Sequence, residues 1–188
     1  QTNPPIDDPT VQFISGGRTA NFTIPAGQTS ANFGQSPTAR FQTGTTAATL
    51  VFTAAFRRTG QDATPSPAPQ ASLAIPVTPP SLSDVVVTRG SNALTVALRG
   101  FAPERNITTA ILEFTRRPGA PGTSPERFDV NVSQAFQQWF SSTPSQQFGS
   151  EFRLTIPVTL TGDPADITGL SVRLTGPAGT GNTVSASF

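Results

Sequence analysis

Apolar residues alternate with polar ones over short stretches of this chain, and glycine or proline separates the stretches. The clearest example is the run ATLVFTAAF (48–56), in which every second residue from Leu50 to Phe56 is apolar. A period of two is typical of a strand with one buried face. Turn residues such as Pro25 and Gly27 close many of the stretches. The pattern therefore predicts an all-β protein.

The predicted strands form two groups, which indicates two tandem immunoglobulin-like β-sandwiches. We expect an N-terminal arm over 1–10, a first domain over 11–77, a Pro-rich linker over 78–81 and a second domain over 82–188. Paired prolines in VTPPS (77–81) favour a semi-rigid polyproline II spacer. The second group has about seven predicted strands separated by regular turn signals. This is the number expected of an immunoglobulin-like sandwich. The expected strands are 11–15, 20–24, 30–33, 39–42, 46–56 and 71–77, then 84–88, 93–99, 108–115, 127–132, 151–161, 169–175 and 183–188.

The first predicted domain has fewer strands than the second and is short for a sandwich. An incomplete sandwich leaves unpaired edges, which promote aggregation unless another strand covers them. A strand donated by a neighbouring chain, or upstream sequence, would complete it. The arm 1–10 and the strand that begins at Val11 are the candidate donors, with Val11, Phe13 and Ser15 as the residues that alternate on one face.

The segment QAFQQWFS (134–141) interrupts the alternation. Phe136, Trp139 and Phe140 are spaced i, i+3, i+4, which predicts one short helix across an end of the second sandwich. The preferred interpretation is that these rings cap the core, with Trp139 as a plug. The alternative is that, with Phe148, they form a glycan-stacking platform.

Composition excludes most catalytic chemistry. The chain has no His, Cys, Met or Tyr, and all twelve basic residues are Arg. It therefore lacks an imidazole, thiol, amine or phenol to act as base, nucleophile or soft metal ligand. We expect no enzyme, catalytic residue, cofactor or metal. A net charge of +1 without basic clusters argues against nucleic-acid binding, and the sequence has no apolar stretch of about 20 residues to span a membrane.

Two acidic motifs have modest structural interpretations. Asp7 and Asp8, with Asp62 or Asp84, would supply oxygens for calcium, but no D-x-D-x-D-G loop is present. We interpret them as solvated turn acids. Asp163, which precedes Pro164, is predicted to start a turn and cap a short helix.

The absence of cysteine is compatible with export, and the first residue, Gln1, is consistent with a processed terminus or a piece of a longer protein. Both observations are compatible with an exported protein.

Five segments carry a resemblance to a known group of proteins. FISGGRTANFTIPAGQTSANF (13–33) and FQTGTTAATLVFTAAF (41–56) resemble Ig-like domains of large exported bacterial cell-surface proteins. The segments 94–115, 136–163 and 167–180 resemble the domain that closes many of them. The resemblance implies an extracellular, multi-domain and non-enzymatic role, and a chain that begins inside a domain.

Two functions follow as hypotheses. The first is a structural subunit or spacer of a bacterial surface filament, assembled by β-strand addition with copies of itself or neighbouring domains. The second is a carbohydrate-binding or adhesive module that uses Phe136, Trp139 and Phe140 to bind glycans.

Overall fold

The computed structural model describes residues 7–122 and 124–188. Strands dominate this part of the chain, with one α-helix and two 3₁₀ helices, so the prediction of an all-β protein is confirmed. The strands are β1 (Val11–Phe13), β2 (Phe41–Thr43), β3 (Ala48–Thr53), β4 (Arg57–Arg58), β5 (Gln61–Asp62), β6 (Gln70–Ile75), β7 (Ser81–Arg89), β8 (Ala93–Phe101), β9 (Thr109–Arg116), β10 (Glu126–Asn131), β11 (Glu151–Thr159), β12 (Ile167–Gly176), β13 (Gly179–Thr180) and β14 (Val184–Ser187). The helices are α1 (Ser133–Ser141) and the 3₁₀ helices Pro144–Phe148 and Pro164–Asp166.

Residues 81–188 form a β-sandwich of two antiparallel sheets. One sheet has the order β11-β8-β7, and the other has β10-β9-β12 with β13 and β14 both paired to the far side of β12. Apolar residues alternate strictly along β8, where Leu94, Val96 and Leu98 are buried and the residues between them are exposed. This alternation follows from the pleat, which points successive side chains to opposite faces of the sheet.

The core of the sandwich draws on both sheets and on α1. Leu112 from β9, Phe152 from β11 and Val172 from β12 are almost completely buried in it. Phe136 of α1 packs edge-on against Phe152, with ring centroids 4.9 Å apart. The predicted helix is thus confirmed, and it closes one end of the sandwich.

Residues 7–77 have a different construction. They form three two-stranded antiparallel ladders, β1-β2, β3-β6 and β4-β5. In the described part of this region Ala47 is the one buried hydrophobic residue, whereas the sandwich core starts at Leu82. A two-stranded ladder has little stability of its own in water. These ladders therefore depend on contacts with each other and with the sandwich.

Several expectations for the first region need correction. The predicted strands 20–24 and 30–33 are reduced to isolated bridges, Thr23 with Asn32 and Phe33 with Ser36. The segment 57–69, in which no strand was expected, contains the tight β4-β5 hairpin. Gly60 and its neighbour Thr59 have positive φ at the tip of this hairpin. Such a turn is set by two residues at its tip, and apolar periodicity does not reveal it.

Candidate functional site

The β3-β6 ladder has one apolar face. The register places Leu50 opposite Leu73 and Phe52 opposite Ala71, so these side chains share that face. Leu50 and Phe52 are half-buried, but Leu73 is 40% exposed. The face is thus only partly covered by the rest of the chain.

A cluster of aromatic side chains covers part of the apolar face of the β3-β6 ladder. Phe13 of β1 and Phe41 of β2 lie over Phe52 of β3, with ring centroids 6.4 Å and 4.8 Å from it. Both contacts are edge-to-face, an arrangement that is favourable for aromatic pairs. All three rings remain half-buried, so the two ladders form a thin second layer without a closed core.

The edges of this ladder lack the residues that usually protect edge strands. Within the described chain β3 and β6 pair only with each other, which leaves one side of each unpaired. Their sequences, ATLVFT and QASLAI, contain neither a charged residue nor proline. Unpaired backbone N–H and C=O groups on such edges readily accept another strand.

The edges of the sandwich show the contrast. The edge strand β10 carries Glu126, Arg127 and Asp129, and the edge strand β11 carries Arg153 and Pro157. Charges and proline on an edge oppose pairing with another chain. The edge strand β7 carries a register irregularity between Leu82 and Asp84. Of the sandwich edges, only the two-residue β13 (GT) and the four-residue β14 (VSAS) lack a charge, proline or register irregularity among the described residues, and both are shorter than β3 and β6.

The proposed donor residues already have positions within the chain. Val11 and Phe13 lie in β1 and pair with Thr43 and Phe41 of β2. Ser15 is exposed and follows the strand, which ends at Phe13 instead of Ser15. Residues 1–6 of the predicted arm lie outside the described residues, so the position of the arm is known only from Asp7 onward.

Asp8 is the centre of a polar joint between the N-terminal region and the sandwich. It is only 5% exposed, although it was expected to be a solvated turn acid. Its Oδ1 accepts hydrogen bonds from the backbone N–H and hydroxyl of Thr10, at 3.0 and 2.6 Å. Its Oδ2 accepts from the Thr45 N–H at 2.9 Å and the Thr46 hydroxyl at 3.2 Å. Both carboxylate oxygens thus accept hydrogen bonds from the protein in place of water.

The sandwich side of the joint is built from two of its loops. The Ala47 N–H donates to Pro103 O at 2.9 Å, and the Ser150 N–H donates to Thr45 Oγ1 at 3.0 Å. Gly149 is closely covered, because a Cβ there would lie 2.8 Å from Asp8 Oδ2 and 2.5 Å from Thr45 Oγ1. These contacts connect the two regions through a small number of hydrogen bonds.

Arg105 connects its own loop of the sandwich to the segment that holds Ser145 and Gly149. It adopts a positive φ and donates to Gly149 O at 2.7 Å and Ser145 Oγ at 2.9 Å, and its guanidinium lies 4.8 Å from the centroid of the Phe140 ring. Burial lowers the pKa of Arg105, and the nearby Asp8 carboxylate opposes that shift.

The pKa of Asp8 reflects two opposing effects. Burial alone raises the pKa of this carboxyl group, because it disfavours the charged form. The hydrogen bonds from Thr10, Thr45 and Thr46 favour the carboxylate, and together they bring its pKa below the ordinary value. Asp8 is therefore ionised in the joint at neutral pH.

The structure separates the residues of the predicted glycan platform. Phe136 and Phe140 are buried in the core, which fits the interpretation of an end-cap. Trp139 is half-buried, and its indole N–H donates to Glu151 O at 3.2 Å. Phe148 is 50% exposed and lies nearly parallel to Trp139, with ring centroids 6.2 Å apart. Of the four rings, these two present surface to solvent.

No group of three or more potential metal ligands occurs among the described residues. No helix in 7–122 or 124–188 is long and apolar enough to cross a membrane.

Sequence reasoning missed the Asp8 joint. The only signal was the spacing of Asp8 and Thr10 around Pro9, which is common in solvated turns and does not indicate burial.

No family model matches the chain, and searches of the curated proteins and of the solved structures gave no significant match.

Proposed function

We propose that this protein is a non-enzymatic structural subunit or spacer that associates with further copies by β-strand addition. The observation that carries the proposal is the β3-β6 ladder, which combines an apolar, partly uncovered face with two unprotected edges. In strand addition, main-chain hydrogen bonds give affinity and alternate side chains fill the apolar face. The exposed Leu73 marks the part of that face still open to an incoming strand.

The chemistry of the rest of the chain supports a structural role on the outside of a cell. Histidine, cysteine and tyrosine, which commonly act as general base or nucleophile, are absent from its sequence. The resemblance of segments such as 41–56 to Ig-like domains of exported bacterial surface proteins supports a cell-surface location and an immunoglobulin-like character for the sandwich.

The first test is electron microscopy of the untagged chain together with light scattering across a concentration series. Strand addition predicts fibres with a regular repeat and a mass that rises with concentration. A chain that stays monomeric at all concentrations contradicts the proposal.

A pair of matched variants locates the contact. Val51→Lys places a charge on the free edge of β3, where the side chain is 58% exposed, and we expect it to abolish assembly. Val86→Lys makes the same change on the edge strand β7, where the side chain is 52% exposed. This control should assemble like the parent. Both changes are on the surface, so each should alter the free energy of unfolding by only about 0.5 kcal/mol. Equal loss of assembly in both variants would exclude β3 as the acceptor.

A second candidate function is glycan binding, favoured by the solvent-facing pair of Trp139 and Phe148. Flat aromatic surfaces of this kind stack on sugar rings. The substitution Phe148→Ala tests it, because the ring is half exposed and its removal leaves the buried Phe136 and Phe140 in place. Glycan-array binding that the parent shows and this variant loses would support the second function.

A further inference from the structure

The Asp8 joint lies directly before the strand named as the donor. Asp8 is three residues from Val11, and the Val11 N–H donates to Asp8 O at 3.1 Å. Arg18 Nη2 donates to the same carbonyl at 2.8 Å. The side chain of Asp8 thus binds Thr45 and Thr46, in the segment that follows β2 and contacts the sandwich, and its backbone carbonyl holds the start of β1.

The ladder that follows is short. β1 pairs with β2 over three residues, Val11 to Phe13, and its largest packed side chain is the half-buried Phe13, which contacts Phe41 and Phe52. A ladder of this length is weak without additional contacts. The charge-assisted hydrogen bonds of Asp8, which are stronger than neutral ones, connect the residues before β1 to Thr45 and Thr46 after β2 and so reinforce this short ladder.

We propose that the Asp8 joint is a latch that keeps β1 paired with its own β2 and so holds back donation of residues 11–15 to a second copy. The inference rests on the proposed function, since it names the donor and the contact that restrains it. When the joint opens, β1 is held by its three-residue ladder, the Ile14 N–H bond to Arg40 O and the packing of Phe13. The freed strand then presents Val11 and Phe13 to the partly open face of the β3-β6 ladder of a neighbouring copy.

The joint can also be disrupted by a substitution in the sandwich, at Gly149. Gly149 belongs to the sandwich, has a φ of 57°, and has no room for a Cβ against Asp8 Oδ2 and Thr45 Oγ1. Gly149→Ala should therefore displace Asp8 without changing any residue of the arm. It is a test that is independent of the chemistry of residue 8.

The first experiment compares Asp8→Asn with Asp7→Asn. An asparagine at position 8 has one acceptor oxygen instead of two. Its NH₂ group would face the N–H and hydroxyl donors that now bind the carboxylate. Asp7 is the matched control, because it is exposed and its ion pair is with Arg18 at the surface. We expect the amide protons of Val11, Phe13 and Ile14 to exchange about tenfold faster in Asp8→Asn and in Gly149→Ala, and at the parental rate in Asp7→Asn.

Assembly is measured on the same samples. The latch predicts that Asp8→Asn and Gly149→Ala assemble faster than the parent by a similar factor, whereas Asp7→Asn does not. The latch is overturned if the parent assembles and Asp8→Asn assembles at the same rate, with the same amide exchange rates as the parent. If exchange increases but neither the parent nor any variant assembles, strand addition itself is overturned.

A reversible lock tests the donor directly. Gln12 and Gln42 are opposed in the β1-β2 register and are both exposed, and the chain has no cysteine of its own. A Gln12→Cys, Gln42→Cys double variant should form an intrachain disulfide that blocks assembly until it is reduced. Assembly of the oxidised form at the rate of the reduced form would overturn the assignment of β1 as the donor.

Discussion

Asp8 is the residue whose role differs most from its expected one, and its ionisation gives a pH prediction. The hydrogen bonds of the joint lower its pKa below the ordinary value of 3.8. A lowered pKa in the folded state means that the stabilisation is complete above the unfolded value and is lost as the pH falls through the folded value.

The joint should therefore hold at neutral pH and open only below about pH 3.8. The charged groups that face Asp8 are the guanidinium groups of Arg105 and Arg18 and the neighbouring carboxylate of Asp7. The chemical shifts of the Thr45 and Thr46 amides, followed by NMR from pH 6 to pH 2, should report the opening. The same titration of Asp8→Asn should lack this step, and a step that persists there would assign it to another carboxyl group.

Gly100 gives a second prediction at the residue scale. A Cβ at this position in β8 would lie 2.3 Å from Ser81 O and 2.9 Å from Cζ of Phe152. Since neither the strand nor the buried ring can move freely, we expect Gly100→Ala to lower the free energy of unfolding by about 1–3 kcal/mol. Gly162→Ala is the control, because nothing lies within 4 Å of its Cβ position. Thermal denaturation of both variants checks this, and equal melting temperatures would contradict it.

Some single residues were predictable from local sequence and others were not. Asp163 accepts a hydrogen bond from the Ala165 N–H at 2.8 Å, as expected of a cap before Pro164. That contact lies within three residues, so the sequence is sufficient to predict it. The partners of Asp8 at Thr45 and Thr46 are distant in sequence. No local pattern specifies such a contact.

Among the elements, the strands of the sandwich were predicted closely. β8 and β11 bury every second residue over most of their length, so periodicity identified them to within a few residues. In the N-terminal region the same reasoning predicted strands at 20–24 and 30–33 that form only single bridges. Alternation predicts a strand only when a core exists to bury one of its faces.

The helix α1 gives a prediction that separates a core role from a binding role. Trp139 covers the end of the sandwich and donates to Glu151 O. Trp139→Ala should therefore lower the free energy of unfolding by about 2–4 kcal/mol, measured by urea denaturation with circular dichroism. Phe148→Ala should cost much less, because half of that ring is exposed. Equal losses in the two variants would contradict the core role of Trp139.

For the molecule as a whole, burial is concentrated in one half of the chain. In the described residues, the hydrophobic core runs from Leu82 to Leu174, while the six phenylalanines before residue 77 are all half-buried. Local opening is easiest where few apolar contacts are buried.

Hydrogen exchange should therefore show two classes of amides. Those of β8, β9 and β12 should exchange only on global unfolding, and those of β3 and β6 should exchange much faster in the monomer. Addition of a strand should protect the second class when copies associate. Uniform protection in the monomer would contradict this division.

The location of Trp139 has a practical consequence for spectroscopy. It is the single tryptophan, and the chain has no tyrosine. Its indole lies at the end of the sandwich that α1 closes, so tryptophan emission reports that half alone. A fluorescence melt can look like a single clean transition while the N-terminal ladders have already separated from it. Replacing Trp139 and introducing Phe41→Trp would move the single tryptophan to β2, so that its emission reports the unfolding of the N-terminal ladders.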